Sequence, residues 1–268
     1  MVFTSAAAKA GRDCQIDSTV RFGANVEIGG AVVIEPYVVI HDDVRIGDGC
    51  FIGAHAVLGA HPSGYSALGT GSGSAGLCQI GPQTRIGPAA VIENNVLIGE
   101  DGDISGNAVI RAGARVGRRF RMGAFSEVRG GAHIEDYVTL LSQVHVCRGA
   151  ILKSFCWIMP YVVLLNDRFP PTRLDVQGPT VGEYSVIGCH SILFPGVQLG
   201  KHVIVGANCV VRQDMPDYHV VSGFDSRITS DCRFIPCKLG KEFVRPYPWP
   251  RHVPEGFPWQ DNPNSWAG

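Results

Sequence analysis

The chain has 268 residues, with 23 basic and 24 acidic side chains and a net charge of −1. It therefore presents no global field that would draw it to nucleic acid or an anionic membrane, and any bound anion must be held by local groups. No apolar run approaches the roughly 20 residues of a membrane span, and the opening MVFTSAAAKAGR lacks the apolar core of a secretory leader, so a soluble cytoplasmic protein with no membrane span is expected.

From Ile16 onward an apolar residue recurs at every sixth position: eight times from Ile16 to Leu58, fifteen times from Ile80 to Leu164, and six times from Val181 to Val211. Of these 29 hexads, 27 are led by Ile, Leu or Val. A period of six fits no single face of an α-helix, but it is three times the strand period of two. Short strands joined by regular corners follow. The residue after the leading aliphatic is Gly in 14 of the 29 hexads, which suits a corner too crowded for a Cβ. Three hexads close a triangle of 18 residues, so the 29 hexads make nearly ten coils. At a strand spacing of roughly 4.8 Å these stack to about 45 Å.

The slot two residues before each leading aliphatic is Ala, Cys, Ser, Thr or Val in 26 of 29 hexads, a narrow size limit that marks an inward corner. Cys14, Cys50, Cys78, Cys156 and Cys209 all fall in it and read as compact core fillers. The nine cysteines include no CxxC pair, and their odd number argues against a disulfide frame; no metal is expected.

The register breaks first at GAHPSGYSALGTGSGSAGLCQ (59–79), a Gly- and Ser-rich stretch expected to be a flexible loop extruded from the coil. Between Val128 and Leu165 the corner residues are Arg129, Glu135, Leu141, Cys147, Lys153, Met159 and Leu165, with no glycine. Sorted by 18, they leave two edges largely apolar and one charged, through Glu135 and Lys153. Apolar corners suggest burial against neighbouring subunits.

The residue just before each leading aliphatic points outward, and residues 18 apart stack one strand spacing from each other. Glu127, His145 and Val163 therefore form one outward column. A carboxylate beside an imidazole fixes its tautomer and raises its basicity, which suits a general base, although the same pair also fits a plain surface ion pair. The second break, LNDRFPPTRLDVQGPT (165–180), interrupts the coil just beyond this column, at Asn166 and Asp167. Loops this long in a compact solenoid are usually functional. After Arg212 the repeat stops, and the Pro- and aromatic-rich tail is not expected to be helical. The organisation expected is a coil over 1–215, with loops at 59–79 and 165–180, and a C-terminal extension over 216–268.

Hexads such as IGDGCF IGAHAV and VGEYSV IGCHSI resemble the left-handed parallel β-helix of the hexapeptide-repeat acyltransferases, over about three quarters of the chain. The resemblance implies an all-β fold and a homotrimer with active sites between subunits. The segment PYVVLLNDRFPP followed by GPTVGEYSVIG resembles the N-acetyltransferases that act on nucleotide-linked amino-deoxysugars for cell-surface glycans, such as those of lipopolysaccharide. That implies Asn166 as a hydrogen-bond partner of the sugar and Asp167 as the group nearest the attacking amine. It also implies an acyl-CoA co-substrate, acetyl-CoA above others, laid along the last coils beside Gly188, Ser191, Gly206 and Ala207, with Arg212 at a phosphate. FDSRI replaces the family's usual ending after this segment.

Two other readings share the coil: a lipid A-type acyltransferase taking a UDP-linked glucosamine, and a non-catalytic scaffold or binding subunit. The lipid A enzymes carry helices after the coil, which the Pro-rich tail does not suggest. The γ-class carbonic anhydrases also use this coil, but the pairs His55 with His61 and His133 with His145 do not reproduce their zinc spacing. GTGSGSAG is followed by neither Lys-Ser nor Lys-Thr, so it is no P-loop.

Overall fold

The computed structural model describes residues 8–62, 76–170 and 176–234, together with the backbone of 237–239 and 242–244. Each hexad sends two side chains inward, the leading aliphatic and the residue two before it, with one outward between them, as strand geometry requires. In the first coils Val20 and Phe22, Val26 and Ile28, and Val32 and Ile34 are buried in turn. Between them Arg21 and Glu27 are exposed. The strands are parallel and pair one coil apart, as in Gln79 with Leu97, Arg85 with Asp103 and Val91 with Val109. They form three sheets of 10, 12 and 10 strands around one apolar column, the three-sided coil the repeat predicts and the all-β left-handed parallel β-helix the resemblance implies. The first face begins at Ala8–Ala10, the second at Gln15–Ile16 and the third at Arg21–Phe22.

The corners explain the hexad's composition. A Cβ on Gly188 would lie 2.5 Å from the amide nitrogen of Ala207, and one on Gly123 would lie 2.5 Å from the carbonyl carbon of Leu141. Glycine is thus set by the approach of the next coil, and neither residue has a positive φ. The left-handed turn conformation falls two residues later, where Asn95, Asn107, Tyr137, Phe155 and Tyr184 adopt φ between 52° and 63°. Such angles cost most residues free energy, so neighbouring coils must hold them.

The small inward slot has a polar duty beyond its size. Ser126 Oγ donates to the carbonyl of Leu141 (2.9 Å) and accepts from the amide of Val144 (3.0 Å). Ser185 and Ser191 repeat this bond to Gly200 and Gly206, and Thr84 repeats it to Gly99. Cys50 and Cys156 donate their thiols to the carbonyls of Gly81 and Gly182 at 3.2 and 3.0 Å. Cys50, Cys78, Cys156 and Cys209 are buried as expected, while Cys14 is half-buried. Burial pushes the Cys78 thiol up to about 12, which keeps it protonated.

The coil extends beyond the repeat at both ends. Ala8–Ala10 lies one hexad ahead of the first and pairs with Val26–Ile28 in the next coil. Beyond Arg212, Met215 bridges to Leu199 and His219–Ser222 pairs in parallel with the strand at Ile204–Val205. The last coil therefore runs on to Ser222. The antiparallel strand Arg227–Asp231 then turns back along the second face. Asp167 and Val176 bridge across the root of the second loop. Residues 63–75 of the expected first loop, 171–175 of the second and the Pro-rich tail from 245 lie outside the described residues. Among the described residues no helix is long and apolar enough to cross a membrane.

Candidate active site

The third face carries Glu127 and His145. Its outward column contains Val39, Val57, Val91, Val109, Glu127, His145, Val163, Ile192 and Val210, as the pairings along the sheet show. Above Arg21, Glu127 and His145 are the polar residues of an otherwise aliphatic column. His145 Nδ1 lies 3.3 Å from Glu127 Oε2, so the stacking expected from the 18-residue step is observed. It is Nδ1 that faces the carboxylate, and Nε2 points away from it.

Glu127 is held by more than His145. Its Oε1 accepts from Arg111 Nε at 2.8 Å and from Arg129 Nη1 at 3.1 Å. The hydrogen bond from His145 comes first among the causes that bring its carboxyl down to about 2. Burial opposes the shift, while Arg111 and Arg129 add to it. Glu127 is therefore a fixed anion at neutral pH.

Asn166 and Asp167 sit at the corner where the third face ends, one coil above Arg148. Asn166 Nδ2 donates to the carbonyl of Arg148 at 3.3 Å, and Gln177 N donates back to the Asn166 carbonyl at 2.9 Å. Asp167 Oδ1 accepts from the amide of Phe169 at 2.9 Å, an Asx turn that opens the loop. These bonds tie the pair to the loop root rather than to His145. The two sets thus lie on neighbouring coils of one face and corner, without a direct bond between them.

The residues expected to meet coenzyme A divide between the two borders of the same face. Gly188, Gly206 and the exposed Ala207 lie at the corner where the chain enters it. Arg212, also exposed, lies at the corner where the chain leaves it, its guanidinium 5.1 Å from the Phe194 ring and 5.9 Å from that of Phe224. Ser191 requires a correction. It is fully buried, and its hydroxyl bonds the carbonyl of Gly206 and the amide of Cys209, so it supplies core volume rather than a ligand contact. Gly188, similarly, is required by the approach of Ala207.

Sequence reasoning missed two members of the cluster, Glu93 and Arg111. Glu93 is only 4% exposed, and its Oε1 accepts from Arg111 Nη1 at 2.8 Å. The signal was available: Glu93, Arg111 and Arg129 occupy, on successive coils, the corner slot that is glycine in 14 of the 29 hexads. On another edge, the expected charged pair is an ion pair, with Lys153 Nζ 2.7 Å from Glu135 Oε1.

Residues 25–60 match the bacterial transferase hexapeptide family (six repeats), and residues 180–213 match the hexapeptide repeat of succinyl-transferase. The chain is 33% identical over 148 residues to the 2,3,4,5-tetrahydropyridine-2,6-dicarboxylate N-acetyltransferase of Brevibacillus brevis, covering 55% of this chain and 54% of that protein. It is 25% identical over 170 residues to the bifunctional protein GlmU of a Synechococcus species, covering 58% of this chain and 36% of the relative. The chain thus spans about a third to a half of the length of these relatives. Among solved structures, LpxA of Acinetobacter baumannii superposes with a TM-score of 0.50 at 14% identity, over 82% of this chain and 72% of that one. Transferase-type hexapeptide repeats therefore flank the third-face cluster on both sides.

Proposed function

We propose that this chain of transferase hexapeptide repeats is an acyl-CoA-dependent N-acyltransferase, which acetylates the amine of a nucleotide-linked amino-deoxysugar for glycan assembly. The observation that carries the reading is the Glu127–His145 pair, 3.3 Å apart and facing outward from an aliphatic sheet face. Asn166 and Asp167 stand at the adjoining corner. Arg212 is on the same edge, three coils beyond the level of His145, or about 14 Å at the usual strand spacing. One relative is by name an N-acetyltransferase.

The chemistry asked of such a site is modest. The amine nitrogen attacks the thioester carbonyl carbon, the carbon–nitrogen bond forms, and the carbonyl oxygen carries the developing charge. The carbon–sulfur bond then breaks and thiolate leaves. The surplus ammonium proton passes to His145 Nε2, which Glu127 keeps oriented, or to the departing thiolate. Outward backbone amides at the corners are suited to donating to the oxyanion. Asp167 is assigned to the amine, Asn166 to a sugar hydroxyl, Gly206 and Ala207 to the pantetheine arm, and Arg212 to a phosphate.

A homotrimer, cytoplasmic, with each third face closed by a neighbouring subunit, would turn this open face into a cleft. The half-buried Val39, Val57, Val91 and Val109 favour such cover. The test is transfer of acetyl from acetyl-CoA to 3-amino and 4-amino nucleotide-linked sugars, with coenzyme A binding measured calorimetrically. Turnover on one of these amines is expected. Neither turnover nor coenzyme A binding would reject the proposal.

A further inference from the structure

We infer that Arg111, anchored by the buried carboxylate of Glu93, is a positioning residue that turns Glu127 so that one of its oxygens is reserved for His145; this rests on the reading of His145 as the base. Glu93 closes the third strand after the first extruded loop, where the chain comes back to the face it left at Val57–Ala60, and the strand register shifts between Ile92 and Glu93. Taking a carboxylate out of water costs several kcal/mol unless it is paired and hydrogen-bonded. Both oxygens of Glu93 are so satisfied: Oε1 by Arg111 Nη1 at 2.8 Å, and Oε2 by the amide of Ala112 at 2.8 Å. Glu93 is therefore a fixed post, held by backbone.

Arg111 hangs from that post and reaches one coil up. Its Nη1 is committed to Glu93 and its Nε, 2.8 Å from Glu127 Oε1, is committed to the second carboxylate. Bonding two carboxylates through two nitrogens of one rigid plane fixes the guanidinium, which a lysine with a single nitrogen on a flexible stem cannot reproduce. Arg129 Nη1 approaches the same Glu127 oxygen at 3.1 Å. With Oε1 taken by two guanidinium groups, Oε2 is the oxygen presented to His145 Nδ1, at 3.3 Å. The carboxylate thus has one orientation, and through it the imidazole has one tautomer, with the proton on Nδ1.

The charges balance within the group. Glu93 and Glu127 are offset by Arg111 and Arg129, so the anion that orients His145 is held without a net negative field around it. A surface ion pair alone would not need the buried Glu93, nor two cations on one oxygen.

The experiment is nitrogen-15 NMR of the His145 ring across pH, on the full chain, for the unaltered protein, Arg111→Lys and Glu93→Gln, alongside acyl-transfer kinetics. The unaltered protein is expected to show His145 protonated on Nδ1 throughout its neutral range. Arg111→Lys keeps the charge but loses the fork. It is expected to give a mixture of tautomers and to lower kcat about 10- to 100-fold, as other losses of an orienting partner do, with KM little changed and the pH profile displaced. Glu93→Gln is expected to act in the same direction more weakly, and it keeps the test open if Arg111→Lys does not fold. Unchanged tautomer and unchanged pH profile in a folded Arg111→Lys or Glu93→Gln variant would overturn the inference. Absence of transfer in the unaltered protein would instead reject the proposed reaction, leaving the NMR result to judge the positioning separately.

Discussion

His145 and Glu127 stand one strand spacing apart because both precede a leading aliphatic and are separated by 18 residues, so the imidazole and the carboxylate face the same solvent. That much was legible from counting. The orientation of Glu127 was not, because it is decided by residues in a different slot: Arg111 and Arg129 come from the corner, and their side chains cross to the sheet face. Ser191 differs from its expected role for a related reason: its slot points inward, so its hydroxyl bonds the next coil and not a ligand. Glu127 also yields a pH prediction. Its carboxyl is depressed from the usual 4.5 to about 2, so the stabilisation it contributes is present above pH 4.5 and is lost as pH falls toward 2. Unfolding by urea should find Glu127→Gln less stable than the unaltered protein at pH 6, by at most about 3 kcal/mol. The gap should close by pH 2. A gap that stays constant with pH would mean that Glu127 is not ionised against these partners.

At the scale of the element, one corner carries a stack of rings. Tyr137, Phe155, Tyr184, His202 and Tyr218 lie on successive coils with centroids 4.7, 4.9, 4.8 and 5.0 Å apart and planes within 20° of parallel. All five occupy the left-handed turn position. Parallel rings offset along the coil axis compensate that backbone cost, and each such contact contributes about 0.5–1.5 kcal/mol. Arg118 below Tyr137 and Arg233 above Tyr218 cap the stack at 5.2 and 4.6 Å. Burial, with Lys201 beside it and Asp217 opposing, brings the His202 imidazole down to about 4. A depressed histidine stabilises the fold above pH 6.5 and loses that contribution as pH falls through 4. His202→Phe, which keeps a ring in the stack, should flatten the fall in melting temperature between pH 6.5 and 4. An unchanged slope would place the acid sensitivity elsewhere. The stack is hard to read in the sequence because its spacing is uneven: Phe155 and Tyr184 are 29 apart and His202 and Tyr218 are 16 apart, whereas the other two neighbouring pairs are 18 apart.

For the whole molecule, the hexad made the coil legible nearly from end to end, because two buried positions in every six leave no other regular fold. It could not show where the coil stops. Met215 and His219–Ser222 continue it by pairing with Leu199 and with Ile204–Val205, although they no longer follow the repeat. Counting does sort the outward residues by face, and the faces differ. The third is lined outward by aliphatic side chains, whereas the first carries Glu27, Arg45, Gln79, Arg115 and His133. An aliphatic face of this length calls for cover, and a second and third copy would supply it. Val109→Lys should therefore convert a trimer into monomers in sedimentation velocity, while the circular dichroism spectrum of the coil persists. A trimer that survives this substitution would place the interface on another face.

If the third face is an acyl-transfer site with His145 as its base, the decisive quantity is the steady-state rate of His145→Ala with acetyl-CoA and the nucleotide-linked amino sugar that the unaltered protein accepts, with Asp167→Asn measured beside it. Loss of a general base lowers kcat by about 10²- to 10⁴-fold, and a fall in that range is expected for His145→Ala in a protein that stays folded. A full rate in His145→Ala would contradict it, and a full rate in both variants would remove the catalytic assignments from this face.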